Sequence, residues 1–333
     1  MILIKNKKYI YLIIFFIILF LLCLCIISGI IIRSRINMKY RNSINIFEIV
    51  HENNVFNRCH FLYNKNEYFI NMNRDFNFKK MIHQNLKMND STVINLDKKH
   101  KGYTHFSIRN ALLIRRPPRG YPNLPGPEDP RAIQHLDDIL IFYNDFYDNH
   151  VSMFMYKYNS NTDMHLQYRH SRLIEKNWSP FIYNNTVYCS YTLNPHVILE
   201  VNLNSGLCNK LYSNEIFGED IIYGGTPAIY IKKYNVYMGI SHSKIKHFTG
   251  FIFDYFCQAY IFNAVPPFNM IKISDKFRFF KRTELSYLRD YNVEFPIGLY
   301  EKEDSLFVSI GYNDSKSYLL KINTDHFFNS MFR

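Results

Sequence analysis

The feature that most constrains the fold of this chain is a succession of short β-type runs from about residue 104 to residue 322. Most runs span four to eight residues between turns of Asn, Asp, Gly, Ser or Pro. This rhythm is typical of all-β domains with antiparallel strands, and no heptad or amphipathic-helix pattern interrupts it. The predicted strands are Asn110–Ile114, Ile139–Tyr143, Val151–Tyr158, His165–Tyr168, Pro180–Tyr183, Val187–Thr192, His196–Leu203, Ala228–Ile231, Val236–His242, Gly250–Phe262, Phe268–Ile273, Pro296–Tyr300, Ser305–Tyr312 and Ser317–Ile322.

A coarser period is superimposed on these runs. A turn with a proline, followed by two β runs, recurs at Pro130, Pro180, Pro227 and Pro296, at intervals of 50, 47 and 69 residues. A four-stranded propeller blade takes about 40–50 residues. Four such units, with one more from residues 50–115, predict a five-bladed β-propeller over residues 56–333. Equivalent loops of a propeller converge on its axis, so residues far apart in sequence would meet there.

The N-terminal region predicts a membrane anchor. Residues 9–32 form an uncharged run of 24 residues, dominated by Ile, Leu and Phe, and about 20 apolar residues span a bilayer. No small-residue cleavage site follows, which argues against a signal peptide. The interpretation is a cytosolic tail (1–8), a transmembrane helix (9–32), a stem (33–55) and the propeller domain. This single-pass arrangement places the domain in the Golgi or ER lumen or outside the cell.

The charge distribution argues against a nucleic-acid partner, and the cysteine spacing argues against a zinc site. Residues 1–41 hold seven Lys or Arg and no acid, so only +5 of the formal charge of +12 falls on the remaining 292 residues. That is too dilute for a nucleic-acid-binding surface. Outside the apolar run, the four cysteines have no zinc-site spacing. In an oxidising lumen, one or two disulfides or free buried thiols are equally compatible with them, with Cys189 and Cys208 the nearest pair in sequence.

The segment Glu128-Asp129-Pro130-Arg131 is the main candidate for chemistry. Proline fixes its own φ and favours an extended residue before it, so Asp129 is predicted to be extended. A carboxyl held rigidly at the entry to a β-hairpin suits acid–base catalysis. A surface turn with an Asp–Arg pair is the simpler interpretation of these four residues alone.

Four segments occur in order at the spacing of propeller blades. They are Glu128-Asp129-Pro130-Arg131, Glu175-Lys176-Asn177-Trp178-Ser179-Pro180-Phe181, Gly224-Gly225-Thr226-Pro227-Ala228-Ile229 with Met238-Gly239-Ile240-Ser241-His242, and Phe295-Pro296-Ile297-Gly298-Leu299 with Ser309-Ile310-Gly311-Tyr312-Asn313-Asp314. Together they resemble glycoside hydrolase family 130, which comprises β-mannoside phosphorylases and hydrolases, and related mannosyltransferases with a five-bladed β-propeller. The resemblance covers about residues 105–322. Two departures concern Ser241-His242-Ser243, where the family has Tyr-His-Gly, and Gly311-Tyr312-Asn313-Asp314, where it has Gly-Ala-Ala-Asp.

The resemblance implies that Asp129 is the general acid in glycosyl transfer. It also implies a basic pocket for a donor phosphate and polar contacts with a sugar. Several of these residues have a structural alternative: an ion pair for Arg131, a solvated loop for Lys176, the core for Trp178 and His242, and a turn cap for Asp314. The residues assigned to substrate binding are Arg115, Arg116, Arg131, Lys176, Asn177, Trp178, Thr226, His242 and Asp314.

Other motifs are absent from the sequence. It has no Asp-x-Asp, no phosphate-cradling glycine loop and no His/Cys cluster with metal-ligand spacing. We therefore predict metal-independent chemistry without a cofactor. The anchor favours a glycosyltransferase that joins a nucleotide-sugar or sugar-phosphate donor to a mannose-containing glycan acceptor. The alternatives are a β-mannoside phosphorylase or hydrolase, with inorganic phosphate as partner of the former, and a non-catalytic propeller that binds glycans or proteins.

Overall fold

A computed structural model describes residues 15–21, 44–48, 55–73, 92–95, 128–148, 150–214, 222–246, 253–280, 293–312 and 316–332. Most of these residues lie in β-strands, which confirms the all-β class. The strands form five sheets, which we number in chain order by their first long strand. Nearly all neighbouring strands are antiparallel; β3–β4 and β9–β13 are the parallel pairs. The strands are β1 (Ile44–Glu48), β2 (Val55–Tyr63), β3 (Asn66–Asn73), β4 (Thr92–Asn95), β5 (Glu128–His135), β6 (Asp138–Tyr147), β7 (His150–Lys157), β8 (Thr162–His165), β9 (Gln167–Tyr168), β10 (Ser179–Tyr183), β11 (Thr186–Leu193), β12 (His196–Val201), β13 (Leu207–Asn214), β14 (Tyr223–Gly225), β15 (Ile229–Ile231), β16 (Val236–Lys246), β17 (Phe253–Asn263), β18 (Met270–Ile273), β19 (Glu294–Lys302), β20 (Ser305–Tyr312) and β21 (Lys316–Asn323).

Consecutive hairpins build each sheet. Sheet 1 is β2-β3-β4, sheet 2 is β5-β6-β7-β8, and sheet 3 is β10-β11-β12-β13-β9. Sheet 4 is β14-β16-β17-β18, with β15 also paired to β16. Sheet 5 is β19-β20-β21, and β1 from the N-terminal region adds its outer strand. Sheet 5 thus pairs a strand from the N-terminal region with the last strand of the chain that the structure describes.

The first strands of the sheets surround a common centre. β2 contacts β5 and β19, β5 contacts β10, and β14 contacts β11 and β19. The apolar clusters lie between successive sheets, as in a propeller. Phe142 packs with Trp178 between sheets 2 and 3, and Phe181 with Phe262 between sheets 3 and 4. Ile240 packs with Val308 between sheets 4 and 5. The arrangement is propeller-like.

Four of the five first strands contain a β-bulge. The register shifts between Phe56 and Cys59 in β2 and between Glu128 and Arg131 in β5. It also shifts between Tyr223 and Gly225 in β14 and between Pro296 and Gly298 in β19. A bulge bends its strand and re-aims the side chains beside it. These bends lie where the first strands meet.

Two predictions from the sequence need correction. Residues 324–332 form a C-terminal α-helix, Thr324–Phe332, which strand rhythm did not reveal. Its Phe327 and Met331, four residues apart, share one face and are buried against sheets 4 and 5. The predicted stem (33–55) includes β1, so residues 44–48 are part of the folded domain.

Part of the predicted membrane anchor falls outside the described residues. Residues 15–21 of it are helical and their side chains are exposed. In the portion of the chain that the structure describes, no helix combines the length and apolar character needed to cross a membrane.

The four described cysteines are free and buried. Cys189 lies on β11 and Cys208 on β13, with β12 between these strands. Two inter-strand steps amount to roughly 9–10 Å, whereas the Cα atoms of a disulfide lie within about 7 Å. Of the alternatives left open by the sequence, the structure has free buried thiols. Burial raises the pKa of Cys208 to about 12, which makes this thiol a poor nucleophile.

Candidate active site

Asp129 has a left-handed backbone. Its φ is +55°, so the prediction that Pro130 holds it in an extended conformation is wrong. The reason is the bulge in β5, because a bulge can require a left-handed residue that regular pairing would exclude. Aspartate is one of the few non-glycine residues that tolerate this region. The side chain is 9% exposed, so a nearly buried carboxyl stands on a backbone conformation of the kind often found at functional sites.

Asn57 holds this carboxyl from the neighbouring sheet. Its Nδ2 donates to Asp129 Oδ1 at 3.1 Å, across 72 residues of sequence. Asn57 is also left-handed, with φ +48°. Gly311 gives it room, because a Cβ at that position would lie 1.7 Å from Asn57 Oδ1. The Asp129 carboxyl is therefore positioned jointly by sheets 1, 2 and 5.

Arg131 links β5 to the loop before β10 and to β14 from inside the protein. Its Nη1 donates to the carbonyl oxygen of Asp129 at 2.8 Å, and its Nη2 donates to Asn177 Oδ1 at 2.8 Å. Its Nε donates to the carbonyl oxygen of Gly225, and the guanidinium lies 5.7 Å from the centre of the Phe295 ring. Burial lowers the pKa of Arg131, and the nearby charge of Asp129 opposes that shift.

Arg131 is fully buried, which corrects its assignment as a ligand of substrate phosphate. Three of its N–H groups bond to protein oxygens, and the side chain offers no surface to a ligand. Nor does it bond the carboxylates of Glu128 or Asp129, the structural alternative predicted from the sequence. Its function is to hold the Asp129 loop through the backbone, and its charge adds a positive field beneath that loop.

Glu128 and Lys176 form an ion pair beside Asp129. Lys176 Nζ lies 3.0 Å from Glu128 Oε2, and the two side chains are 31% and 17% exposed. The pair joins sheet 2 to the loop before β10. Lys176 retains surface at the site, which is compatible with its predicted contact with a substrate phosphate, but Glu128 offsets its charge.

Asn177 and Trp178, two predicted substrate ligands in the loop before β10, have different environments. Asn177, left-handed with φ +64°, accepts from Arg131 and lies at the site. Trp178 has no exposed surface, and its Nε1 donates to Glu175 Oε2 at 2.8 Å. Tyr191 donates to the other oxygen of Glu175 at 2.7 Å. The assignment of Trp178 to sugar binding is corrected: the indole fills the core between sheets 2 and 3.

Sheet 4 contributes Thr226 and His242. Thr226 is fully buried, and its Oγ1 accepts from the Ile240 backbone at 3.0 Å, so this predicted substrate ligand is structural. His242 is 7% exposed and its ring centre lies 4.6 Å from that of Phe295. Burial, with the charge of Arg131 second, lowers the pKa of His242 to about 3. The imidazole is therefore neutral at physiological pH.

Three predicted site residues, Arg115, Arg116 and Asp314, lie outside the described residues. Their contacts with substrate stay predictions. Among the residues that the structure does describe, no three His, Cys, Asp or Glu side chains are grouped as metal ligands.

Two contributors to the site were missed from the sequence: Asn57 and the Gly225 carbonyl. A signal for Asn57 exists, since an Asn or Asp occurs near the start of three first strands, at positions 57, 129 and 177, all left-handed. Side chains that tolerate positive φ mark these bends. The backbone carbonyl of Gly225 carries no sequence signal of its role.

The site combines one buried carboxyl, a buried cation and a neutral histidine at the centre of a propeller-like all-β fold. A carboxyl held in this way can pass a proton to or from an oxygen, and the charge of the buried guanidinium favours developing negative charge nearby. This arrangement suits group transfer at an oxygen atom.

No protein-family model matches the chain, and no curated protein sequence matches it. Solved structures do. A Parabacteroides distasonis protein classed provisionally as a glycoside hydrolase is 13% identical, with a TM-score of 0.51 over 86% of this chain and 93% of the other. A Bacteroides ovatus protein classed in the same way is 12% identical, with a TM-score of 0.51 over 86% and 94%.

A third structure comes from the GH130 family of mannoside phosphorylases, which contains glycoside hydrolases that target β-1,2 mannosidic linkages in Candida mannan. It is 14% identical, with a TM-score of 0.50 over 87% of this chain and 91% of the other. At such identity the likeness shows a common fold. The resemblance to glycoside hydrolase family 130 is thereby confirmed at the level of the fold.

Proposed function

We propose that this protein is an enzyme that acts on mannosides, with the Asp129 carboxyl as its general acid or base. One observation carries the proposal: Asp129 is nearly buried in a left-handed conformation, and Asn57 fixes its carboxyl from another sheet. Strained backbone conformations of this kind are often found at functional sites. The fold shared with mannoside phosphorylases and hydrolases supports the substrate class.

The chemistry depends on the donor. With a glycoside as donor, Asp129 gives its proton to the leaving oxygen as the bond to the anomeric carbon breaks. With a nucleotide-sugar, the leaving phosphate needs no proton, and the Asp129 carboxylate takes one from the acceptor hydroxyl. One carboxyl suffices where phosphate attacks a glycoside, because Asp129 then only gives a proton, or where an acceptor hydroxyl attacks a nucleotide-sugar, because Asp129 then only takes one. Glu128, the adjacent acid, is engaged with Lys176.

Our first candidate is a membrane-anchored glycosyltransferase. The uncharged run of residues 9–32 supports it, because an N-terminal anchor followed by a lumenal or external domain is the usual plan of secretory-pathway transferases. In this proposal the five sheets are the five blades of one propeller. Lys176, Arg115 and Arg116 hold the donor phosphate, Asp314 holds sugar hydroxyls, and Arg131 acts only through the Asp129 and Asn177 loops.

A β-mannoside phosphorylase or hydrolase is the second candidate, and the structural similarity to such enzymes favours it. A phosphorylase would place inorganic phosphate in the same basic pocket. A hydrolase needs a second group to activate water. A catalytically silent glycan- or protein-binding propeller is the remaining alternative.

The deciding experiment uses the full chain, purified in detergent, with three reactions in parallel. Nucleotide-mannose with mixed mannoside acceptors tests transfer, and β-1,2-mannobiose with and without inorganic phosphate tests phosphorolysis and hydrolysis. Nucleotide release that requires an acceptor identifies a transferase. Mannose 1-phosphate identifies a phosphorylase, and free mannose without phosphate identifies a hydrolase.

Asp129→Asn is the essential comparison in every reaction, and Asp137→Asn, an exposed acid of the same hairpin, is its matched control. Equal activity of the wild type and Asp129→Asn would overturn the enzymatic proposal and favour the silent propeller.

A further inference from the structure

We propose that Tyr223 is an aromatic platform on which one hexose ring of the substrate stacks, at the rim between sheets 4 and 5. This inference deepens the proposed function and rests on it. Tyr223 belongs to none of the motifs discussed above, and the contacts that organise Asp129 do not involve its side chain.

Strand pairing places Tyr223 beside the site. Tyr223 of β14 lies opposite His242 of β16, and side chains of directly opposed residues share one face of a sheet. Two residues further on, the Gly225 carbonyl receives the N–H of Arg131. Arg131 in turn bonds the carbonyl of Asp129. Tyr223 is thus connected to the Asp129 loop through a short series of direct contacts.

The two opposed residues differ in exposure. His242 is buried, whereas Tyr223 is 37% exposed. The His242 ring lies 4.6 Å from that of Phe295 and 6.2 Å from that of Tyr255, measured between ring centres. Phe295 and Tyr255 therefore pack against the His242 ring, whereas Tyr223, paired with His242 across the sheet, keeps part of its surface open to solvent.

His242 also has an unused polar atom. Its Nδ1 is buried and has no hydrogen-bond partner among the described residues. Buried polar atoms are satisfied in the great majority of native structures, and an exception calls for a water molecule or a ligand. A ring nitrogen of neutral histidine can donate to or accept from a hydroxyl group.

A partly exposed aromatic face on the strand that pairs with His242 fits a sugar ring. The face of a phenol ring carries partial negative charge, which attracts the C–H groups of a hexose and repels a phosphate. Binding sites for small molecules commonly combine such aromatic walls with a few placed polar groups. The platform is therefore a sugar subsite, separate from the basic pocket around Lys176.

The test compares four full-length proteins: wild type, Tyr223→Phe, Tyr223→Leu and Tyr230→Ala. Tyr230 is a matched control because it is 46% exposed on the same sheet and pairs with Tyr237 of β16. Five residues of β16 separate Tyr237 from His242, about 17 Å along the strand. Thermal melting verifies that each variant is folded.

Binding of β-1,2-mannobiose is measured by calorimetry, and KM and kcat are measured in whichever reaction the wild type performs. We expect Tyr223→Leu to weaken binding about tenfold and raise KM by a similar factor, with kcat within about twofold of wild type. Tyr223→Phe keeps the ring face and should bind as the wild type does. Tyr230→Ala should also be unchanged.

Equal binding by the wild type and Tyr223→Leu, both folded, would overturn the platform and leave the proposed function standing. A loss shared by Tyr223→Phe and Tyr223→Leu would overturn stacking as well, because it would assign the effect to the hydroxyl group. A wild-type protein that binds and converts no mannoside would overturn the proposed function together with the platform.

Discussion

The openings of β5 and β19, by which we mean the first four residues of each strand, have the same sequence pattern and opposite roles. β5 opens with Glu128-Asp129-Pro130-Arg131 and β19 with Glu294-Phe295-Pro296-Ile297. Both are Glu-X-Pro-Y, both contain a bulge, and both strands lie at the centre of the propeller-like fold. The Phe295 ring even lies beneath the Arg131 guanidinium.

The side chains after each glutamate separate the two openings. In β5 they are a left-handed aspartate and an arginine bonded to other strands. In β19 they are Phe295 and Ile297, which pack into the apolar cluster of sheets 1, 2 and 5. The comparison shows that the proline and the bulge bring a strand to the centre of the fold. The residues beside the proline then determine whether the strand contributes to the candidate active site or to the apolar core.

The largest expected effect is the loss of activity in Asp129→Asn. Asparagine matches aspartate in shape and tolerates the left-handed region, but it cannot exchange a proton. General acid–base groups contribute about 10²–10⁴-fold to rate, so kcat should fall by that factor while the melting temperature changes little. Steady-state kinetics and thermal unfolding measure the two effects. Equal losses in Asp137→Asn would contradict the assignment.

Ile297→Ala, at the position of β19 that matches Arg131 of β5, should show the opposite behaviour. Ile297 is fully buried, and Ile→Ala in a core costs about 2–5 kcal/mol. Urea unfolding should reveal this loss, while the folded fraction keeps its activity. Ile271→Ala is the control, since Ile271 is half exposed and should cost less than about 0.5 kcal/mol. A stable but inactive Ile297→Ala protein would contradict the division into a catalytic opening in β5 and a structural opening in β19.

The two glutamates should also differ. Glu294 is buried and accepts the N–H groups of Phe279 and Phe280, at 2.7 and 3.4 Å. Hydrogen bonds to charged groups contribute about 1.5–3 kcal/mol, so Glu294→Gln should lower the free energy of unfolding by that order. A loss in Glu294→Gln no larger than in Glu128→Gln would break the comparison.

Acid should destabilise the folded protein through His242, whose ring packs against Phe295 in the opening of β19. Its folded pKa is about 3, below the unfolded value of about 6.5. The unfolded state therefore binds the proton first, so stability present above pH 6.5 is lost as pH falls toward 3. One such histidine costs about 1.4 kcal/mol per pH unit. Buried His196, with a pKa of about 4, and His60, at about 3, act in the same direction.

Urea unfolding at pH 7.5, 6 and 5 measures this slope. His242→Asn should flatten it by the contribution of one histidine. An unchanged slope in that variant would mean that His242 titrates with the same pKa in the folded and unfolded states.

The smallest effect is expected for Glu128→Gln. The Glu128–Lys176 pair is partly exposed, and pairs of this kind contribute about 0.2–1 kcal/mol. The change should be within that range by urea unfolding and should shrink at high salt. A loss above about 2 kcal/mol would mean that the pair behaves as a buried one.

The sequence anticipated most strands near the centre of the chain because alternation of apolar residues between Asn, Gly and Pro turns is a local signal. The predicted strands Ile139–Tyr143 and Val236–His242 lie within β6 and β16. The C-terminal helix was missed because it is short and stabilised by packing on sheets 4 and 5 rather than by its own propensity. Similarly, β1 is held by pairing with β21, whose paired residues are 270 to 278 positions further along the chain.

By itself, then, the sequence determined the all-β class, the resemblance of fold, and the choice of Asp129 as the residue of interest. The tertiary structure alone decided the roles around it. It enclosed Arg131, Trp178 and Thr226, brought Asn57 to the Asp129 carboxyl, and left Tyr223 exposed opposite His242. The physical reason is that burial and hydrogen bonding at the centre depend on contacts between sheets. Sequence patterns report only local properties, such as strand propensity and the turns that join adjacent strands.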